Sequence, residues 1–329
     1  MTIIGTRPQY IKIKPLYDYF KSKNINNILV DTNQHYSDNV SSAFVEEFKL
    51  DINYNLNIKN SNSVIFISNC IKSIDKLVNK ELPNIILVIG DTNSTLAASI
   101  VANKNDIQLA HLEAGIRCGD KNSPEEINRI LVDDMADIHF TSRIKDKKNV
   151  SNSVYVGDLE YVLLNQMEEN DFLKDNCIEY QNWILMTIHR KENLYLKRIT
   201  KIFDFCEEID IPIVFPIHHA TEKLINDKKV KIPNNIKICE PKNYMNIIKD
   251  LTKCKGVITD SGGITKICPY FGKKCIIPMG KIEWKEVIEK GYGTSKLNHY
   301  WFDHYQIKRN RKFYYLKDSC KIILKEILR

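Results

Sequence analysis

Short apolar runs alternate with longer segments of helical period along almost the whole chain, and nearly every apolar run ends on a polar cluster. Few folds tolerate that pattern. Strands separated by helices call for βαβ units, a parallel sheet and helices on both of its faces. Strand-like runs fall at 2–5, 27–31, 84–89, 107–112, 137–141 and 154–156. A polar stretch, 168–181, interrupts the pattern, which then restarts with strands at 183–188, 211–216, 236–240, 256–259 and 274–278. Helical segments lie between them. In the helix at 10–23 the inward positions are Ile11, Leu16, Tyr19 and Phe20; in the helix at 125–136 they are Ile127, Ile130, Leu131 and Met135. At 329 residues the chain suits two domains of roughly 150 residues each. The expected boundaries are 1–165, 166–305 and a tail helix, 306–329, packing back on the first domain. Two such domains facing each other would form a cleft between their strand carboxyl ends.

Composition removes several functions. The net charge is +7, but the lysines are scattered among Asn and Ile, with no basic run interleaved with aromatics. Nucleic acid is therefore not the expected partner, whereas a mild positive balance suits an anionic small molecule. No run of about 18 apolar residues occurs, so no membrane span is expected. The opening MTIIGTRPQYIK starts directly with a strand and lacks the layout of a signal peptide, which points to the cytoplasm. The nine cysteines form no CxxC pair, and they read as small buried apolar residues in a reducing compartment. Cys118, in the polar loop after Glu113, is the one candidate for reactivity.

The stretch from Val88 to Arg129 is the densest in chemistry. One strand ends on Gly90-Asp91-Thr92-Asn93, the next on His111-Leu112-Glu113-Ala114-Gly115, and a loop then delivers Ser123-Pro124-Glu125-Glu126. Ligands of open α/β sheets bind at the carboxyl ends of strands, so Asp91, Glu113 and Glu125 are expected to converge as proton-handling groups. Two of the three also have a plain structural reading: Asp91 could cap the following helix, and Glu125, with Glu126, could complement a helix dipole. Arg7 and Lys12 flank a strand–turn–helix element suited to an anion. Asp260-Ser261-Gly262-Gly263 is a second such element, in which Ser261, Gly262 and Gly263 could cradle a diphosphate. His189 and His218 each follow a strand, where histidines serve acid–base work or phosphate contact. No GxGxxG fingerprint follows residue 5 or 90, and the histidines lack the short spacing of a metal site.

Taken together, GTRPQYIKIKPL (5–16), NQH (33–35), GDTNST (90–95), HLEAGIR (111–117) and SPEEINR (123–129) resemble the non-hydrolysing UDP-N-acetylglucosamine 2-epimerases, as do VGD (156–158), HRKEN (189–193), PIH (216–218) and DSGG (260–263). The resemblance implies two Rossmann-like domains in the GT-B arrangement. It implies interconversion of UDP-N-acetylglucosamine and UDP-N-acetylmannosamine, for a surface polysaccharide, through loss of the C2 proton, departure of UDP and re-addition. By motif position it implies Asp91, Glu113, Glu125 and His189 as catalytic groups, and Arg7, Lys12, Ser261, Gly262 and Gly263 as anion-binding ones. It implies no cofactor and no metal, and a homodimer.

The chain departs from that pattern downstream. After SGG the family carries a carboxylate that contacts the nucleotide ribose, and Ile267 stands there instead. The loop Met279-Gly280-Lys281-Ile282-Glu283 is altered too. Two alternatives follow: a hydrolysing epimerase or one for another nucleotide sugar, and a GT-B glycosyltransferase or weakly active sugar-nucleotide-binding protein.

Overall fold

A computed structural model describes residues 1–34, 45–58, 62–170, 173, 182–278, 284–303 and 307–329. His35 and the loop 279–283 lie outside the described residues. The chain divides into two compact units, one of residues 1–166 with 314–329, the other of residues 167–313.

The first unit is built from β1 (Thr2–Ile4), α1 (Arg7–Ser22), β2 (Leu29–Asp31), β3 (Tyr54–Asn55), α2 (Ser63–Glu81), β4 (Ile85–Ile89), α3 (Asn93–Lys104), β5 (Gln108–Leu112), α4 (Pro124–Met135), β6 (Ile138–Thr141), β7 (Ser153–Tyr155) and α5 (Leu159–Glu169). Its strands are all parallel, in the order β3-β2-β1-β4-β5-β6-β7. A near-continuous apolar run such as IILVI in β4 is what a strand buried on both faces requires. One face of this sheet is covered by α2, α3 and α4. Phe66, Cys70 and Ile74 of α2, Ala97, Ala98 and Ala102 of α3 and Val132 of α4 close over Ile3, Ile86 and Val88. The three alanines let α3 approach the sheet closely.

The second unit repeats the plan with β8 (Ile184–Thr187), α6 (Leu196–Glu207), β9 (Ile213–Pro216), α7 (His219–Lys228), β10 (Ile236–Cys239), α8 (Tyr244–Lys253), β11 (Gly256–Thr259), α9 (Gly262–Phe271), β12 (Lys274–Ile276), α10 (Lys285–Glu289) and β13 (Gly293–Thr294). The order is β10-β9-β8-β11-β12-β13, again parallel throughout. Its core is aliphatic and aromatic, from Ile184, Met186, Ile202, Phe203, Phe215 and Ile258.

The final segment returns to the first unit, where α11 (Ser319–Ile327) packs against α1. Gly157 makes this return possible. It sits at φ +71, and a Cβ there would lie 2.8 Å from the carbonyl oxygen of Tyr314, whose oxygen in turn accepts from the Asp158 N–H at 2.8 Å.

Two burial expectations fail. In α1, Tyr17 takes the buried place and Tyr19 is only partly covered, while Ile11, Leu16 and Phe20 are buried. In α4, Ile127 and Leu131 are exposed, at 45% and 43%, and Ile130 and Met135 are half-buried. The inward face of α4 is taken by Glu126, Asn128, Arg129, Val132 and Asp133. The helix is turned so that its polar side meets the sheet. Short elements also escape sequence periodicity: β3, β13 and α7 carry no pattern that sets them apart from loops.

The cysteines Cys70, Cys206, Cys254, Cys268, Cys275 and Cys320 are buried, as small apolar residues would be. Burial pushes the thiols of Cys70, Cys206, Cys254 and Cys320 up to about 12. Cys118 and Cys239 are only partly covered.

Candidate active site

In the first sheet the strand order reverses between β1 and β4, and ligands of such sheets collect outside the strand carboxyl ends at that point. The loop leaving β1 is packed tightly there. A Cβ on Gly5 would fall 2.0 Å from Thr32 Oγ1 and 2.7 Å from Ser94 Oγ, and those two hydroxyls are hydrogen-bonded to each other at 2.7 Å. Gln9 locks the same loop. Its Oε1 accepts from the N–H groups of Gly5 (2.9 Å) and Thr6 (3.0 Å), and its Nε2 donates to the carbonyl of Ile89 (2.7 Å) and to Thr95 Oγ1 (3.1 Å). One buried amide therefore ties the end of β1 to the end of β4. Gly5→Ala is expected to destabilise the fold by about 1–3 kcal/mol through overpacking, read as a lower thermal denaturation midpoint.

Arg7 opens α1, partly buried, and Lys12 lies one turn further on. Lys12 Nζ bonds Glu113 Oε2 at 2.6 Å. Glu113 itself follows β5 in the left-handed backbone region, at φ +63, which an L-residue occupies only at a cost of roughly 1 kcal/mol or more. Its neighbours hold it there: the carbonyl of Glu113 accepts from Arg129 Nη1 at 2.8 Å, and the Ala114 N–H donates to the Phe140 carbonyl at 3.1 Å. Arg129 Nη2 also bonds the Asp91 carboxylate. Asn128 Nδ2 donates to the Asp91 carbonyl at 2.9 Å. Lys12 thus pairs with the Glu113 carboxylate, while Arg129 joins the Glu113 main-chain carbonyl to the Asp91 carboxylate. Lys12, Glu113, Ser142 and Gly157 line a small hollow of about 10 Å³, enough for roughly one water.

Asp91 is not a helix cap, because Thr92 occupies that position and its hydroxyl accepts from the Thr95 N–H. Glu125 is exposed, in the first turn of α4, and accepts from Ser123 Oγ at 2.7 Å. No bond joins it to Asp91 or Glu113 among the described contacts. Glu126 is buried and accepts from the N–H groups of Cys118 (2.8 Å) and Gly119 (3.0 Å). That role is architectural, and it shapes the loop that holds Cys118.

Beneath the carboxylates lies a second network. His111 is fully buried; its Nδ1 pairs with Asp133 Oδ1 at 2.7 Å and its Nε2 with the Gly90 carbonyl at 2.8 Å. The other Asp133 oxygen takes Arg117 Nη1 at 2.6 Å and the Gly115 N–H at 3.1 Å. Burial pushes the Asp133 carboxyl up, but the bonds and charges of His111 and Arg117 together outweigh it and hold the group below the usual carboxylate range.

The second unit has its own reversal between β8 and β11. His189 follows β8 and Asp260 follows β11. Asp260 is buried and accepts from the N–H groups of His189 (3.1 Å) and Arg190 (2.9 Å) and from Asn193 Nδ2 (3.0 Å). Its Oδ1 also meets His189 Nδ1 at 3.2 Å. Ser261 is the N-cap of α9, with Oγ accepting from the Ile264 N–H, and Gly262 and Gly263 form the first turn of that helix rather than a separate loop. Their N–H groups belong to the helix end that favours anions. His218 caps α7, exposed, its ring centroid 6.5 Å from that of His189. Thr265, Lys266 and Ile267 are buried, and the Lys266 ammonium stands 5.4 Å from the Trp284 ring centroid. Among the described residues no three His, Cys, Asp or Glu side chains are grouped as a metal ion would need.

Sequence reasoning gave no role to Gln9, Arg129 and Asp133, and took Asp260 only as part of the DSGG element. A signal existed for two of them. Arg129 and Asp133 are four apart on α4, on the face where an apolar stripe would otherwise sit.

Two all-parallel α/β units, each with its polar groups at the strand-order reversal, define a two-domain fold of the GT-B type. A solved structure of Methanocaldococcus jannaschii UDP-GlcNAc 2-epimerase in complex with UDP-GlcNAc and UDP is similar over 99% of this chain and 98% of that one, with TM-score 0.85 and 30% identity. The UDP-N-acetylglucosamine 2-epimerase of the same organism is 34% identical over 314 residues, 88% of this chain and 86% of that protein. The UDP-2,3-diacetamido-2,3-dideoxy-D-glucuronate 2-epimerase of Pseudomonas aeruginosa is 32% identical over 310 residues, 88% of this chain and 86% of that protein. The family described as UDP-N-acetylglucosamine 2-epimerase matches residues 19–298. The chain belongs to the non-hydrolysing UDP-N-acetylglucosamine 2-epimerase family.

Proposed function

We propose that the chain interconverts UDP-N-acetylglucosamine and UDP-N-acetylmannosamine, by elimination of UDP across C1 and C2 and its re-addition. The observation that carries this is the network in which Lys12 bonds the Glu113 carboxylate and Arg129 ties the Glu113 main-chain carbonyl to the Asp91 carboxylate, which sets two carboxylates on one scaffold. A base takes the C2 proton, the C1–O bond to UDP breaks with its electron pair leaving on the diphosphate, and a C1–C2 double bond forms. UDP then adds back to C1 while a proton is delivered to the opposite face of C2. Two faces of one carbon need two proton-handling groups, and Asp91, Glu113 and Glu125 are the candidates. The C2 proton is only weakly acidic, so the departing diphosphate needs strong electrostatic stabilisation. The candidates for that role are Arg7 in the first unit and, in the second, His189, His218, Ser261 and the N–H groups of Gly262 and Gly263.

The same reading includes a homodimer and a role in supplying a mannosamine-type sugar to a surface polysaccharide.

Incubation with UDP-N-acetylglucosamine, followed by anion-exchange chromatography, tests the reaction. The expected result is a manno product with total UDP-sugar conserved. A second reading has its own support. Ile267 is buried and apolar, so it offers no carboxylate to a ribose, and the Pseudomonas relative is named for a different nucleotide sugar. Free UDP rising in step with free sugar would favour hydrolysis, and turnover only of a diacetamido-glucuronate nucleotide would favour the other substrate.

A further inference from the structure

Asp260 is the buried acid of the second unit to which nothing above gives a chemical role. Its side chain is 1% exposed, whereas the His189 side chain beside it is 44% exposed. The acid is fixed by three N–H donors, from His189, Arg190 and Asn193. The strands behind it are joined as well: Thr187 and Thr259, the last residues of β8 and β11, are hydrogen-bonded through their hydroxyls at 2.6 Å. The Ile188 carbonyl, just before the histidine, accepts from Thr221 Oγ1 at 2.7 Å. A rigid carboxylate therefore meets one nitrogen of a half-exposed imidazole.

We propose that Asp260 is a positioning residue that selects the tautomer of His189. The carboxylate accepts the Nδ1–H, so the neutral ring carries its lone pair on Nε2. When the ring is doubly protonated, the same carboxylate balances its charge while Nε2–H donates to an oxygen of the departing diphosphate. No covalent step is involved, and the hydrogen bond to Nδ1 persists in both protonation states. A carboxylate on the far side of an imidazole sets its tautomer and orientation in just this way. Asp260 also immediately precedes Ser261, the cap of α9, so a single residue registers both the imidazole and the helix end that would hold the diphosphate.

This assignment rests on the epimerase reading for its consequence, but not for its first test. Nitrogen-15 NMR of the unmodified protein, labelled at histidine and titrated to a pH where His189 is neutral, reports which ring nitrogen keeps the proton. His189→Gln identifies the resonance. The expected result is a proton on Nδ1; a neutral ring protonated on Nε2 would overturn the assignment, whatever the enzyme's substrate. The second test is a double-mutant cycle on kcat with UDP-N-acetylglucosamine. Asp260→Asn is expected to lower kcat at least tenfold in the unmodified background, and by less than about threefold once His189 is Gln, because the two residues act as one unit. Equal losses in both backgrounds would reduce Asp260 to a structural residue. An enzyme inactive on this nucleotide sugar but with the proton on Nδ1 would instead count against the epimerase reading and leave the tautomer assignment standing.

Discussion

Replacing Glu113 by Gln is expected to lower turnover by roughly 10²–10⁴-fold, the usual worth of a general acid or base, with affinity for UDP nearly unchanged. Glutamine keeps an oxygen for Lys12 and nearly the same volume, so the 2.6 Å contact to Lys12 Nζ has a substitute. What it cannot do is take up or release a proton. Glu113 is also the residue whose backbone is held in the left-handed region between Arg129 and Phe140, an arrangement kept against its own conformational cost. Steady-state kinetics and calorimetric titration with UDP separate the two quantities. A variant that lost UDP affinity and turnover together would point to a binding role.

Asp133→Ala is expected to destabilise the first unit by about 3–5 kcal/mol, the range for removing one partner of a buried ion pair. Three donors depend on this carboxylate: His111, Arg117 and the Gly115 N–H. Its loss strands a fully buried imidazole and loosens the loop that carries Glu113. The pH dependence follows from the direction of its shift. The folded carboxyl lies below the usual range, so its contribution is complete above the unfolded value of about 4 and is lost as the pH falls through the lower, folded value. Urea denaturation at neutral pH and in acid, for the unmodified chain and for Asp133→Ala, should show the gap between them closing in acid. A gap that persisted unchanged would mean that Asp133 stabilises by packing.

Much of the fold was legible because strands of a parallel sheet are buried on both faces, and an apolar run such as the IILVI of β4 has few other readings. Asp91 and Glu113 were legible as site candidates because each ends such a strand. The turn of α4 was not. Periodicity assigned Ile127 and Leu131 to the core, but Arg129 and Asp133 make bonds there that an apolar stripe could not. Burial of charge is decided by partners far away in sequence, here Asp91 and His111, and no local pattern contains them. Asp260 was hidden for a related reason. Beside two glycines it looked like part of a turn, while its partners lie some 70 residues earlier, at His189, Arg190 and Asn193.

Proton transfer at C2 of a nucleotide sugar can be followed by proton NMR of the chain incubated with UDP-N-acetylglucosamine in deuterated water. The H2 signal should disappear as deuterium enters C2, with the manno nucleotide appearing and its C2 also deuterated. Persistence of the H2 signal, with no manno product after many enzyme equivalents of time, would contradict it.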